Sequence, residues 1–315
     1  MACGLLYSRR RAGFCRGRYS VVVMSALQVP SYDLGSCRVT VVHGGRLKLD
    51  GGAMFGLIPK ALWSRVYPVD EQNRIELACN CLLVEWQGTG GRRVIIETGH
   101  GPKYDVKEQK IFAIDPADWL LPSLASQGVD PATITDVVVS HLHFDHAGGL
   151  THERDGRLVP SFPQARVHIQ RQEYEDARAG YGIMTATYRD ENYAALDEAG
   201  AWRLLEGEEQ IVPGISSRPT PGHTRGHHSI VIDGGDRCMV FGGDLMPTRQ
   251  HVGAAYNMGY DLFPLDNRAS KRGLLQWLAD RGGLLALDHE LESPVMAVRP
   301  VGDWYELEPA SPDAG

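Results

Sequence analysis

A chain of 315 residues with 43% hydrophobic and 23% charged residues has the composition of a globular protein, which excludes general disorder. Its formal charge of -7 makes nucleic acid and anionic membrane poor partners, and no run approaches the roughly 20 apolar residues of a membrane-spanning helix. The six cysteines are too sparse for a disulfide scaffold, so reduced thiols are expected.

Residues 1–23 are Arg-rich, and no acid appears before Asp33. That composition resembles an organelle transit peptide, but Met24 is the preferred working start. Residues 1–23 are therefore set aside as a dispensable extension, and a cytoplasmic location is expected. The first strand is read in CRVTVVHGG from Cys37, followed by a long glycine-rich loop from Gly51 to Arg74. CLLVEW from Cys81 and RRVIIET from Arg92 read as further strands. Cys79 and Cys81, one residue apart in a strand, share a face and are expected as buried thiols.

A helix over DPADWLLPSLASQG from Asp115 leads into the strand ITDVVVS from Ile134. RVHIQ from Arg166 and the helix QRQEYEDARAG from Gln170 come next. The strands SIVIDGG from Ser229 and RCMVFGG from Arg237 then precede the helix SKRGLLQWLADRGG, which stops at Gly282 with Arg281 in its last turn. LLALDH from Leu284 is the last strand. No repeat or Pro/Ser linker divides the chain, so the reading is a single α/β domain over residues 24–305 and a flexible tail over 306–315.

The residues that carry chemistry stand where these strands end. HLHFDH places His141, His143, Asp145 and His146 beyond ITDVVVS, in the kind of loop where a rigid sheet gathers reactive side chains. His141 and His143 can turn toward one point, and Asp145 and His146 toward a second. His223 in GHTRGHH, Asp244 in GGDLMPT and His289 in LALDHE repeat the placement. Imidazole and carboxylate are ligands for zinc, iron, manganese or cobalt. Ser140, Asp136 and His227 are nearest in sequence to orient those imidazoles, with a structural role preferred for His227.

HxHxDH followed by GHTxGH, a later Asp and a last His resembles the metallo-β-lactamase superfamily over about Leu34 to Pro300. The resemblance implies an αββα sandwich, two mixed β-sheets flanked by helices, with two divalent metal ions at one edge. Zinc is expected first, with manganese, iron or cobalt as alternatives. It implies His141, His143 and His223 as ligands of one ion, Asp145, His146 and His289 as ligands of the other, and Asp244 as the bridge. Two cations about 3.5–4 Å apart can hold a bridging hydroxide at neutral pH that attacks an ester-like centre. Asp244 and Asp145 are the expected catalytic carboxylates, with Asp145 relaying a proton to the leaving group.

The details narrow the branch. Where the family commonly has Asp-Thr-Gly, this chain has Glu97 in ETG. Asp244 argues against β-lactamases proper, His143 against flavodiiron-type members, and the acidic charge against RNA-processing members. The expected relatives are N-acyl homoserine lactonases and methyl parathion hydrolase-like enzymes. The position of the lactonase tyrosine holds Pro247, and Tyr256 and Tyr260 are the nearest substitutes. Met54, Phe55, Leu57, Ile58 and Trp63 are expected either to wall an apolar pocket or to fill core, and residues 173–202 to form a rim.

The expected function is a hydrolase of small esters or lactones. The alternatives are a phosphotriester or aryl ester hydrolase, and a non-catalytic metal-binding scaffold. A small molecule is the expected partner, and a homodimer is left open.

Overall fold

Strands buried on both faces read as continuous apolar runs, and those runs build the centre of the molecule. The computed structural model describes residues 29–86, 91–183 and 185–313. The Arg-rich start and Met24 lie outside the described residues. The first sheet draws on β1 (Ser31–Asp33), β2 (Cys37–Asp50), β3 (Arg74–Trp86), β4 (Arg93–Ile96) and β5 (Asp136–Val138). A separate hairpin, β6 (Thr151–Arg154) with β7 (Arg157–Pro160), precedes the last two members, β8 (Arg166–Gln170) and β9 (Trp202–Leu205). Their spatial order is β1-β2-β3-β4-β5-β8-β9, antiparallel as far as β4 and parallel thereafter.

The second sheet runs in chain order through β10 (Gln210–Val212), β11 (Ile215–Pro219), β12 (His228–Asp233), β13 (Cys238–Phe241), β14 (Leu284–Ala286), β15 (Val295–Val301) and β16 (Trp304–Pro309). Only the β13–β14 pair is parallel there. The helices are α1 (Gly51–Phe55), α2 (Lys60–Trp63), α3 (Val106–Phe112), α4 (Leu120–Ser126), α5 (Phe144–Ala147), α6 (Arg171–Ala179), α7 (Ala194–Ala199) and α8 (Pro264–Arg281).

Strand alternation sorts the core into layers. Leu82, Val84, Val94 and Ile96 meet Ile230, Ile232, Met239 and Phe241 between the sheets. Cys81, Leu83 and Ile95 turn outward beneath Leu120 and Leu124 of α4. Val240 and Leu285 do the same beneath Leu274, Leu275 and Leu278 of α8. The result is the expected helix–sheet–sheet–helix sandwich of two mixed sheets.

Several boundaries differ from the expectation. Residues 306–309 are not a loose tail: they complete β16, which pairs with β15 from Val301↔Trp304 to Met296↔Pro309. Tyr305 packs beneath the second sheet, and the Asp313 amide donates to the Ser31 carbonyl at 3.0 Å. α8 begins at Pro264, six positions before the expected Ser270, because proline is well placed in a helix's first turn. The glycine-rich segment after β2 coils into α1 and α2, with the Asp50 carboxylate accepting from the Ala53 amide at 2.8 Å. Within it Phe55 and Trp63 are buried core, stacked at 5.2 Å, and Leu57 is exposed, so of the five residues named only Met54 faces the cavity. Cys37, Cys79, Cys81 and Cys238 are free and buried. Among the described residues no helix is long and apolar enough to cross a membrane.

Candidate metal centre

All four loops that carry the predicted residues leave the same edge of the sandwich. β5 ends at Val138, and the chain then delivers His141, His143 and, from α5, Asp145 and His146. His223 follows β11, Asp244 sits in a 3₁₀ turn after β13, and His289 follows β14. Glycine makes the close approach feasible. A Cβ on Gly148 would fall 1.9 Å from the His100 carbonyl, and one on Gly243, which has φ +57°, would fall 2.9 Å from Ser140.

The structure brings the seven predicted residues together, all buried. His141, His143, His223 and Asp244 form one group able to hold an ion. A second group is His146, Asp244, His289 and a residue the sequence did not single out, Asp288. Asp244 belongs to both. Its Oδ2 lies 3.1 Å from His223 Nε2 and 3.7 Å from His141 Nε2, and its Oδ1 lies 3.4 Å from His289 Nε2 and 3.6 Å from His146 Nε2. Asp145 borders the second group, 3.5 Å from His289 Nε2 and 3.9 Å from His146 Nε2.

The residues fit a pair of divalent ions. His141 Nε2, His146 Nε2 and Asp244 Oδ1 are buried with no hydrogen-bond partner among the described residues. Native interiors rarely leave such atoms unsatisfied, and here they face one another. Other nitrogens of the same rings are tied back. Ser140 Oγ lies 3.0 Å from His141 Nδ1, Asp261 Oδ1 3.0 Å from His223 Nδ1, and the Ala78 carbonyl 2.6 Å from His289 Nδ1. Fixing one ring nitrogen aims the other.

Ser140 therefore fixes the orientation of the His141 ring. Asp136 does not: at the opposite end of β5, it pairs with His168 Nε2 at 2.8 Å. His227 holds Thr220 Oγ1 at 3.0 Å, in keeping with the structural role preferred for it. Glu97, the longer carboxylate in ETG, accepts from the Ser140 amide at 2.6 Å and brings Oε2 to 3.3 Å from His146 Nδ1. It does so with φ +66°, a backbone conformation that costs about 1–3 kcal/mol and persists only where its surroundings enforce it.

Sequence reading missed Asp261 and Glu173. Buried Glu173 in α6 accepts from the Leu142 amide at 3.1 Å, Tyr188 Oη at 3.1 Å and Thr224 Oγ1 at 2.5 Å. It thereby ties the HLHFDH loop, the GHT loop and the predicted rim to one point.

Burial and mutual repulsion hold His141 and His143 well below the usual imidazole range. Burial also opposes charge on His146, His223 and His289, but nearby carboxylates prevail, and all three are raised. Burial acts to raise Asp244, yet His223 and His146 hold it well below the usual carboxylate range. Burial pushes Asp288 up to about 7 despite His289 nearby. A metal must displace the protons of the raised imidazoles. Its affinity is therefore expected to fall as pH drops from about 8 to about 6, by roughly tenfold per proton released and per pH unit. Chelator competition across that range would read the slope; a flat profile would contradict the ligand set.

The family model described as the metallo-beta-lactamase superfamily matches residues 74–289, from the start of β3 to the last histidine of the cluster. The chain belongs to that superfamily. An N-acyl homoserine lactonase of Bacillus cereus is 30% identical over 174 residues, covering 51% of this chain and 60% of that enzyme. A probable metallo-hydrolase of Mycobacterium tuberculosis is 28% identical over 189 residues, covering 54% of this chain and 57% of that protein. The chain thus spans about three fifths of the length of each of these two relatives.

Among solved structures, a probable metal-dependent hydrolase from Staphylococcus aureus superposes with a TM-score of 0.78 at 29% identity, covering 88% of this chain and 99% of that one. A dizinc quorum-quenching lactonase in complex with its product gives 0.72 at 19% identity, covering 90% and 97%, a likeness of fold. The superfamily match and the paired donor groups give this chain a dinuclear-type metal site of the metallo-β-lactamase kind.

Proposed function

We propose that this metallo-β-lactamase superfamily member hydrolyses small, largely apolar esters or lactones. The observation that carries the reading is a cavity of about 180 Å³ that opens directly on both donor groups. Leu49, Met54, Phe112, Phe144 and Met258 wall it, and His143, Asp145, His223, Asp244 and His289 form its reactive side. Among the described lining residues the only Lys or Arg is Arg189, which is already engaged: Glu108 pairs with it at 2.8 Å, and its guanidinium lies over the Tyr104 and Phe144 rings. A cavity with its cation neutralised favours a neutral substrate over an anionic one.

When bound, two divalent cations supply an acidified water for attack and positive charge for the substrate's oxygens. The chain's own groups position and protonate. Asp145, at the wall beside His289, is placed to carry a proton to the leaving oxygen. Tyr260 lines the cavity, and burial, reinforced by Asp50, Asp145 and Asp244, holds its phenol well above the usual range, so the hydroxyl remains a donor. Tyr256 instead packs against Phe55 and His251. Tyr260 thus takes the carbonyl-positioning role for which Pro247 has no group. Tyr260→Phe is expected to lower kcat/KM for esters by about tenfold to a hundredfold without loss of metal. Unchanged kcat/KM would remove Tyr260 from the reaction.

The Bacillus lactonase likeness supports an ester closed in a ring. The aromatic walls Phe112, Phe144 and Tyr260 favour the second reading, an aryl ester or neutral phosphotriester. Turnover of lactones of graded acyl length, aryl esters and phosphotriesters decides between them. Lactone or alkyl ester preference supports the proposal, and aryl ester or phosphotriester preference overturns it for the second reading. Full metal content with no turnover of any class overturns both in favour of a binding scaffold.

A further inference from the structure

Asp288 directly precedes His289, is 2% exposed, and offers two carboxylate oxygens that accept no hydrogen bond from the described residues. Two other buried carboxylates, Asp261 and Glu290, are provided for. Asp261 receives the Met258 amide and Asn257 besides His223, and Glu290 receives Tyr67 Oη at 3.1 Å and the Arg249 amide at 3.0 Å. Asp244 Oδ1 and Glu97 Oε2 are each a single unpaired oxygen, whereas Asp288 has both of its oxygens unpaired.

Two imidazoles lie within reach of it. Asp288 Oδ2 is 3.6 Å from His146 Nδ1 and 3.7 Å from His289 Nε2. His146 Nδ1 has one hydrogen to give, and Glu97 Oε2 stands closer, at 3.3 Å. His289 Nδ1 is spent on the Ala78 carbonyl at 2.6 Å, which leaves Nε2 facing Asp145, Asp244 and Asp288 together at 3.5, 3.4 and 3.7 Å. Donors that share a cation at about 2.0–2.2 Å stand roughly 3–4 Å apart, the spacing seen here.

We propose that Asp288 is a ligand of the second ion, which makes that position oxygen-rich and shifts its selectivity toward manganese or ferrous ion relative to the first position. The first position offers three imidazoles and Asp244; the second offers two imidazoles with Asp145, Asp244 and Asp288. Imidazole-rich sites suit zinc, and carboxylate-rich sites with more donors suit manganese. The two positions then differ in their manganese-to-zinc affinity ratio, the second favouring manganese more than the first. The proposal rests on the two-ion reading of the site and not on the substrate.

The test uses the full chain stripped of metal, its Asp288→Asn variant and its Glu97→Gln variant. Manganese binding is followed by the paramagnetic resonance of the free ion, zinc binding by competition with a chelator, and coordination number by the absorbance of bound cobalt. In the parent chain the second position is expected to have the higher manganese-to-zinc affinity ratio of the two. Asp288→Asn should weaken manganese there by at least tenfold, leave zinc at the first position unchanged, and intensify the cobalt bands as coordination number falls. Glu97→Gln should retain the difference between positions. Equal weakening of both metals in Asp288→Asn with unchanged cobalt bands would overturn the proposal and make Asp288 a partner that orients His146; no change at all would equally overturn it. A parent chain that binds no metal would overturn the two-ion reading itself.

Discussion

Asp244→Ala is expected to empty both donor groups at once and to lower hydrolysis by well over about 100-fold, since losing even an outer partner of a metal ligand costs 10–100-fold. Asp244 is the one residue present in both groups, and each of its oxygens faces a different pair of imidazoles. It is also the main source of charge that raises His146 and His223. Removing it leaves five imidazoles gathered in a buried space with far less negative charge to hold cations. His143→Ala touches only the first group and should lose one ion while the second position stays filled. Elemental analysis beside turnover reads both variants. Full metal content and parental turnover in Asp244→Ala would remove Asp244 from the centre.

Glu173→Ala is expected to destabilise the fold by about 3–5 kcal/mol, since each buried donor left without an acceptor costs about 1–3 kcal/mol. Three donors from separate segments would lose their acceptor: the Leu142 amide, Tyr188 and Thr224. Close packing prevents an easy repair, because a Cβ on Gly226 would already fall 2.2 Å from the Glu173 backbone. Thermal unfolding should shift down by roughly 10 °C. Glu173→Gln, which keeps one acceptor oxygen, should lose less. An unchanged midpoint in Glu173→Ala would mean that the three segments are held by other contacts. The rim is expected to loosen too, since Tyr188 lies between Thr187 and Arg189 on the cavity wall.

How much the sequence discloses depends on how local the cause is. HLHFDH packs four donors into six positions after a buried strand, so the cluster and its sheet edge are legible before any coordinate. Strands such as β4 and β5, apolar and buried on both faces, announce themselves as continuous runs. β7 and β10, short and largely exposed or half-buried, carry too few apolar positions to show a period. Asp261, 38 positions from His223, and Glu173, 51 positions from Thr224, reach their partners only through tertiary folding.

Asp288 stood beside a recognised histidine yet passed unnoticed, because a carboxylate next to a ligand has many uses and only the absence of a hydrogen-bond donor separates them. The aromatic residues after β2 carried an ambiguous signal. Phe55 and Trp63 fill core, and the cavity walls come instead from Phe112, Phe144 and Met258 on other loops.

The most direct test of a two-ion hydrolytic centre is the metal content of the purified full chain, before and after stripping and reloading with zinc or manganese. The paired donor groups predict close to two ions per chain after reloading, with hydrolysis lost on stripping and recovered with the ions. A chain that takes up no metal, or that hydrolyses esters equally well without it, would contradict the assignment of His141, His143, His146, His223, Asp244 and His289 to a metal centre.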